Sequence, residues 1–286
     1  MSTLREAAEL TSSLSEEDYR VLRSLAKLLG RRRHAPPSMI SASSGLPEEI
    51  VERSLGRLQS MKLVVRGTAG YSLVYAGLDA LALHELRRAG ALEGVGTPIA
   101  LGKESDVYGG IAGGREVAVK AYRIGRVSFR RVKRLRRYGP RVGEWLLASI
   151  RSASAEYGNL ARLHSRGLPV PAPLSVRYHV LVMERLEGEI LRRAQVEDPE
   201  DLAWRILEAV RRCYVEGGLV NADLNEYNIV VGPRGIFIVD WPQALSSEDP
   251  AARAYLERDV LNVLRYFRKR FGVSLDPREA LERVMG

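Results

Sequence analysis

Apolar residues return at helical spacing early in the chain. In LSEEDYRVLRSLAKLLG (14–30), Tyr19, Leu22, Leu25, Ala26 and Leu29 share one face, the pattern of a helix with one buried side. Ser15 precedes Glu16, Glu17 and Asp18, a cap followed by an acidic first turn. PPSMISASSG (36–45) reads as a short helix or turn, and LPEEIVERSLGRLQSMKL (46–63) as a second amphipathic helix with Ile50, Leu55, Leu58 and Met61 as core positions. LVVRGTAGYSLVY (63–75) predicts a hairpin, with strands over 63–66 and 71–75 around a glycine-bounded turn. Helices followed by a hairpin in this order give winged-helix topology, assigned to 1–76. The helix at 46–63 takes the recognition position. It starts with Glu48, Glu49 and Glu52, which count against simple phosphate docking, so nucleic-acid and protein-packing roles both stay open.

The pattern then changes. GLDALALHELRRAGALEG predicts a linker helix in 77–96, and TPIALGKESDVYGGIAGGREVAVKAYRI (97–124) alternates apolar and polar residues between glycine-rich turns, predicting three antiparallel strands. A helix is expected over 152–167, an extended proline-rich exit over 168–174, and a strand pair over 176–188. Asp198 caps a helix over 198–217 with Pro199 at its first position, and a last amphipathic helix covers 250–271. The fold class is α+β: a winged helix followed by a larger domain over 97–286, strand-rich in 97–183 and helix-rich in 188–286.

Composition narrows the class. The 286 residues are 45% apolar and 28% charged, enough to bury a core and too apolar for a disordered chain. No apolar run approaches the roughly 20 residues of a membrane helix, and the N-terminus lacks the apolar centre of a signal peptide. The expectation is a cytoplasmic protein with no membrane partner. A single cysteine, Cys213, permits no internal disulfide. Net charge is +9, and RIGRVSFRRVKRLRRYGPR (123–141) holds nine basic residues and no acid. So dense a cluster points to phosphate, most often nucleic acid; the alternative is a solvated arginine-rich face.

Three of the five asparagines, 221, 225 and 228, fall in NADLNEYNIVVGPRGIFIVDWPQ. Short polar side chains favour turns, so a polar loop between strands accounts for them. Phosphoryl transfer accounts for more. It needs an acid to orient the nucleophile and oxygen ligands for nucleotide-bound magnesium. Asp223 fits the first role, and Asn228, five residues on, with Asp240 fits the second. Upstream, EVAVKAY places Lys120 inside a strand, where a buried ammonium is costly unless paired; Glu156 in SASAEYGNL is its expected partner. LGKESDVYGG would be the phosphate turn, with Gly102, Lys103 and Ser105. Its spacing is neither G-x-G-x-x-G nor the Walker pattern.

GKESDVY, AVKAYRIGRVSFRRVK, ADLNEYNIVV and VDWPQ in this order resemble the RIO family of atypical protein kinases. GKESD with an N-terminal winged helix resembles its second, winged-helix subfamily. The resemblance covers essentially the whole chain. It implies a trimmed bilobal kinase fold, with ATP and Mg²⁺ or Mn²⁺ as cofactors, and serine/threonine phosphorylation or ATPase switching in maturation of the small ribosomal subunit. The partners implied are the pre-ribosomal particle and its rRNA, with the protein substrate unnamed. Under this resemblance Asp223 is the catalytic acid and Lys120 with Glu156 clamps phosphate. Asn228 and Asp240 hold metal, and Asp240 can carry a transient acyl phosphate. Met183 is the gatekeeper, and Glu184 and Leu186 offer hinge backbone to adenine. The family's usual histidine two residues before the catalytic acid is Asn221 here, which implies reduced or retuned activity. Ser128 is the autophosphorylation candidate, and Arg130, Arg131, Arg134 and Arg137 are the RNA-contact candidates. Two rivals remain: a nucleotide-sensing scaffold with negligible transfer, and a small-molecule phosphotransferase.

Overall fold

The computed structural model describes residues 4–32, 34–126 and 142–286. Ser128, Arg130, Arg131, Arg134 and Arg137 lie outside the described residues, and with them all but two of the nine basic residues of 123–141. The chain divides into two compact units: Met1–Ser154 with Leu174–Met183, and Ala155–Pro173 with Glu184–Gly286. Among the described residues no helix is long and apolar enough to cross a membrane.

The first unit opens with a short helix that the apolar pattern did not single out, α1 (Leu4–Leu10), followed by a 3-10 turn. The Ser15 hydroxyl then accepts the Asp18 N–H, and the Asp18 carboxylate accepts the Ser15 N–H, so two of the donors at the start of α2 (Glu16–Lys27) are satisfied. Asp18 also accepts from Ser54 Oγ at 2.5 Å and from Arg57 at 2.9 Å. That ties α2 to α4 (Glu48–Ser60), beyond α3 (Pro37–Ser44). Strands β1 (Val64–Gly67) and β2 (Gly70–Leu73) pair antiparallel, with Gly67 opposite Gly70. The turn between them is two residues long, shorter than expected. Tyr19, Leu22, Leu25, Leu55 and Leu58 are buried as expected, but Ile50 and Met61 are only partly buried. Val51 is buried in their place, because the inward stripe of α4 is 51, 55 and 58 at i, i+4, i+7 spacing.

Helix α5 (Tyr75–Arg88) begins earlier than the linker reading and ends well before it. It is apolar on more than one side. Leu78 and Leu81 join the winged-helix core, while Ala82, Leu83 and Leu86 join a second core with Val117, Val119 and Val182. A helix buried on two faces serves both cores, so the winged helix and the sheet fall in one unit. The sheet contains β3 (Gly94–Leu101), β4 (Ser105–Ala112), β5 (Arg115–Tyr122), β6 (Pro173–Arg177) and β7 (Val180–Glu184), in the order β3-β4-β5-β7-β6. The three strands of the 97–124 reading are present and antiparallel, with Val107 opposite Lys120.

Helix α6 (Val142–His164) starts ten residues before the expected 152, and from Ala155 onward it belongs to the second unit. There Asp198 caps α7 (Pro199–Val215) by accepting the Glu200 and Asp201 N–H groups. Helix α7 packs on α8 (Ala252–Phe271) and α9 (Pro277–Met285), the last of these unforeseen. Short strands complete the unit. β8 (Glu189–Ile190) pairs with β10 (Ile229–Gly232), which forms a hairpin with β11 (Gly235–Ile238), and β9 (Leu219–Val220) pairs with β12 (Leu245–Ser246). This places 221–228 between β9 and β10, and Asp240 just beyond β11.

Candidate active site

The loop 221–228 is built from backbone bonds made by its own polar side chains. The Asn221 amide donates to the Asp240 carbonyl at 3.0 Å, and its Oδ1 accepts the Asp223 N–H at 3.2 Å. Asn225 donates to the Asp223 carbonyl at 2.8 Å and accepts the Tyr227 N–H at 2.9 Å. Asn228 donates to the same Asp223 carbonyl at 2.9 Å. The Val239 N–H reaches the Asn228 carbonyl at 2.9 Å. The three asparagines therefore have three tasks: Asn221 joins the loop to Asp240, Asn225 closes it, and Asn228 spans it. With its nitrogen committed, Asn228 has Oδ1 available to a cation.

Ala222 and Asp240 both adopt positive φ, 64° and 66°, which side-chain-bearing residues enter only at a cost. Ala222 is held by α8. Asp259, 1% exposed, accepts the Ala222 and Leu224 N–H groups at 2.8 and 3.2 Å. Arg258 donates to the Ala222 carbonyl, and Asn262 to the Leu224 carbonyl at 3.2 Å. The residue after Asp240 is held as firmly. The Trp241 N–H donates to Glu156 at 3.2 Å, its indole N–H donates to the Ile238 carbonyl at 2.9 Å, and its carbonyl accepts from Asn159 at 2.8 Å. Asp223 itself is exposed. Burial of part of its carboxyl raises its pKa, the nearby Asp240 charge raises it further, and Arg258 opposes both.

Arg258, Asp259 and Asn262 were not among the expected site residues. A signal existed: Asp259 falls on the apolar face of its helix, between Leu256 and Val263, where an acid is costly unless bonded. Glu156, read only as the partner of Lys120, also holds Trp241.

In the first unit Lys120 is 4% exposed, with its ammonium 5.0 Å from the centre of the Tyr122 ring. The turn between β3 and β4 is closed by the Gly102 N–H donating to the Ser105 carbonyl at 2.8 Å. A Cβ on Gly102 would lie 2.8 Å from that oxygen, so the site accepts only glycine without a shift. Lys103 is exposed and Ser105 half-buried. Met183, buried, ends the first unit. Glu184 begins the next stretch of the second. Its N–H donates to the Ala172 carbonyl at 2.8 Å, and its carboxylate accepts the Ala172 N–H at 3.1 Å and Arg234 at 2.6 Å. Leu186 is half-buried. The expected site residues thus divide: Gly102, Lys103, Ser105, Lys120 and Met183 in one unit, Glu156, Glu184, Leu186, Asp223, Asn228 and Asp240 in the other.

Known proteins match both parts of the chain. The RIO domain family matches residues 106–280, and the family described as Rio2, N-terminal, matches residues 11–89. A serine/threonine-protein kinase rio2 of Schizosaccharomyces pombe is 36% identical over 269 residues, covering 90% of this chain and 77% of that protein. A RIO-type serine/threonine-protein kinase Rio2 of Methanocaldococcus jannaschii is 37% identical over 244 residues, covering 82% of this chain and 90% of the relative. Among solved structures, the Rio2 kinase–ADP/Mg²⁺–phosphoaspartate complex of Chaetomium thermophilum aligns with a TM-score of 0.84 at 30% identity, covering 96% of this chain and 88% of that one.

Proposed function

Because the chain belongs to the RIO family of serine/threonine-protein kinases, in its Rio2 branch, we propose that it transfers the γ-phosphoryl group of ATP to a protein hydroxyl or to water during maturation of the small ribosomal subunit, in the cytoplasm. The observation that carries the reading is the bonded loop 221–228. It fixes the backbone around an exposed Asp223 and ties it to Asp240 through Asn221. In this reading Asp223 orients the nucleophile and takes its proton as the bond to phosphorus forms. A carboxyl with a raised pKa is a better base than an ordinary surface aspartate.

Asn228 Oδ1 and the Asp240 carboxylate are suited to Mg²⁺, a hard cation that takes oxygen ligands. Two side-chain ligands leave positions for phosphate oxygens and water. When bound, the ion neutralises charge on the transferring phosphoryl group. In this reading Lys120 and Glu156 are the clamp residues for the nucleotide phosphates, and the turn of Gly102, Lys103 and Ser105 receives them. Met183 backs the adenine, with Glu184 and Leu186 offering hinge backbone. The Glu184 N–H is already used by Ala172, so its carbonyl is the group for the base. Asp240 also accepts the γ-phosphoryl group as its bond to ADP breaks and ADP leaves, giving a transient acyl phosphate that water would hydrolyse and hydroxylamine would release.

ATP turnover measured beside transfer to protein, with and without pre-ribosomal particles, tests the reading. Kinase or ATPase activity stimulated by the particle is expected; turnover indifferent to it removes the ribosomal assignment. For the basic segment, replacing Arg130, Arg131, Arg134 and Arg137 with alanine should lower the salt slope of RNA binding by roughly two to three units. An unchanged slope removes RNA contact at those arginines.

A further inference from the structure

Among the described residues of the basic segment, Arg123 is buried and Arg126 half-buried, and both bond to the turn over 102–106. Arg123 is 2% exposed. Its guanidinium bonds both carboxylate oxygens of Asp79 on α5, at 2.7 and 3.1 Å. His179 Nε2 lies 2.7 Å from the same Asp79. The Arg123 N–H donates to the Glu104 carbonyl at 2.5 Å, inside the turn. Arg126 donates to the Gly102 carbonyl at 3.0 Å and grips both oxygens of Asp106, the first residue past Ser105. The carbonyls of 102 and 104 and the side chain of 106 are therefore all fixed by 123–126. That segment is in turn fixed to the helix shared with the winged-helix core. Bidentate arginine–carboxylate pairs set geometry as well as proximity, and a turn so held presents one backbone shape to a ligand.

We propose that Arg126, backed by the Arg123–Asp79 pair, is a positioning residue that holds the 102–105 turn in the conformation that receives the nucleotide phosphates. This rests on reading that turn as the phosphate turn. It assigns Arg123 and Arg126 to nucleotide affinity and leaves polyanion binding to other residues of the segment.

Calorimetric binding of ADP with Mg²⁺, and of adenosine, to the full chain tests it. Arg126→Ala should weaken ADP between about twofold and thirtyfold, the range for changes within a coupling network, and leave adenosine unchanged. Asp106→Asn should do the same, and the double variant should be no worse than either single one. Arg126→Lys keeps the charge but not the fork, and should recover only part of the loss. In turnover, KM for ATP should rise while kcat is kept. An unchanged ADP affinity overturns the proposal, as does an equal loss for ADP and adenosine. Lys103→Ala separates the two readings. If it weakens ADP while Arg126→Ala does not, the turn binds phosphate and Arg126 does not position it. If neither weakens ADP, the turn is not the phosphate site.

Discussion

The 102–105 turn, through Arg123, and the 221–228 loop each depend on a buried aspartate, and by opposite means. Asp79 meets the Arg123 guanidinium and the His179 ring. Burial works to raise its pKa, but Arg123 and then His179 outweigh it and keep the carboxyl below its ordinary range. Asp259 meets backbone. Burial pushes it up to about 6, and the Ala222 and Leu224 N–H groups and Arg258 offset only part of that. A guanidinium brings a full charge, whereas an N–H brings a dipole. The difference suits the roles proposed for the two regions: a turn that offers its backbone to phosphate is held from outside by Arg123 and Arg126, and a loop that offers the Asp223 side chain is held by its backbone.

The largest effect should come from removing the group the loop presents. Asp223→Ala should lower ATP turnover by roughly 10²–10⁴-fold, the usual contribution of a positioned base, while ADP still binds. A fall of less than about tenfold would show that the loop presents something other than the base. Next, Asp240→Ala should weaken the Mg²⁺ dependence of ADP affinity, since a carboxylate ligand is lost while Asn228 remains. Titrations with and without Mg²⁺ check this, and an undiminished dependence would move the metal away from Asp240.

The two aspartates should also differ in the sign of their pH effect. The folded Asp259 carboxyl, near 6, holds a proton in a range where the unfolded chain, near the ordinary 3.8, has released it. Its contribution to stability is therefore present below about pH 4 and lost as pH rises through 6. For Asp79 the folded pKa is depressed, so its contribution is present above the ordinary value and lost on acidification. Between pH 4 and 6 the Tm of Asp259→Asn should fall less with rising pH than that of the parent chain. Parallel curves would mean that Asp259 does not titrate there. The smallest effect is expected for Asn221→His. Asn221 bonds both Asp240 and Asp223, and a neutral imidazole also offers one donor and one acceptor. Turnover should change by no more than a few-fold, and a larger change would make Asn221 a tuned feature of this chain.

Periodicity and residue order were enough for the winged helix, the three strands that end at Tyr122, and the loop over 221–228 followed by two short strands before Asp240, because each depends on neighbours in sequence. The apolar stripe of α2 and its Ser15 cap are local, and so is the short hairpin before Asp240. Long-range pairing decided the rest. Helix α5 reads as a linker until both of its faces are seen buried. Arg123 and Arg126 read as polyanion-binding charge until Asp79 and Asp106, far apart in the chain, are found beside them. Asp259 lies 36 residues past Asp223, and only folding brings its carboxylate under that loop. A charge on a sequence has no partner written beside it. Whether it meets solvent, another charge or a backbone N–H is fixed by tertiary packing, and the roles of Arg123, Arg126 and Asp259 follow from that choice.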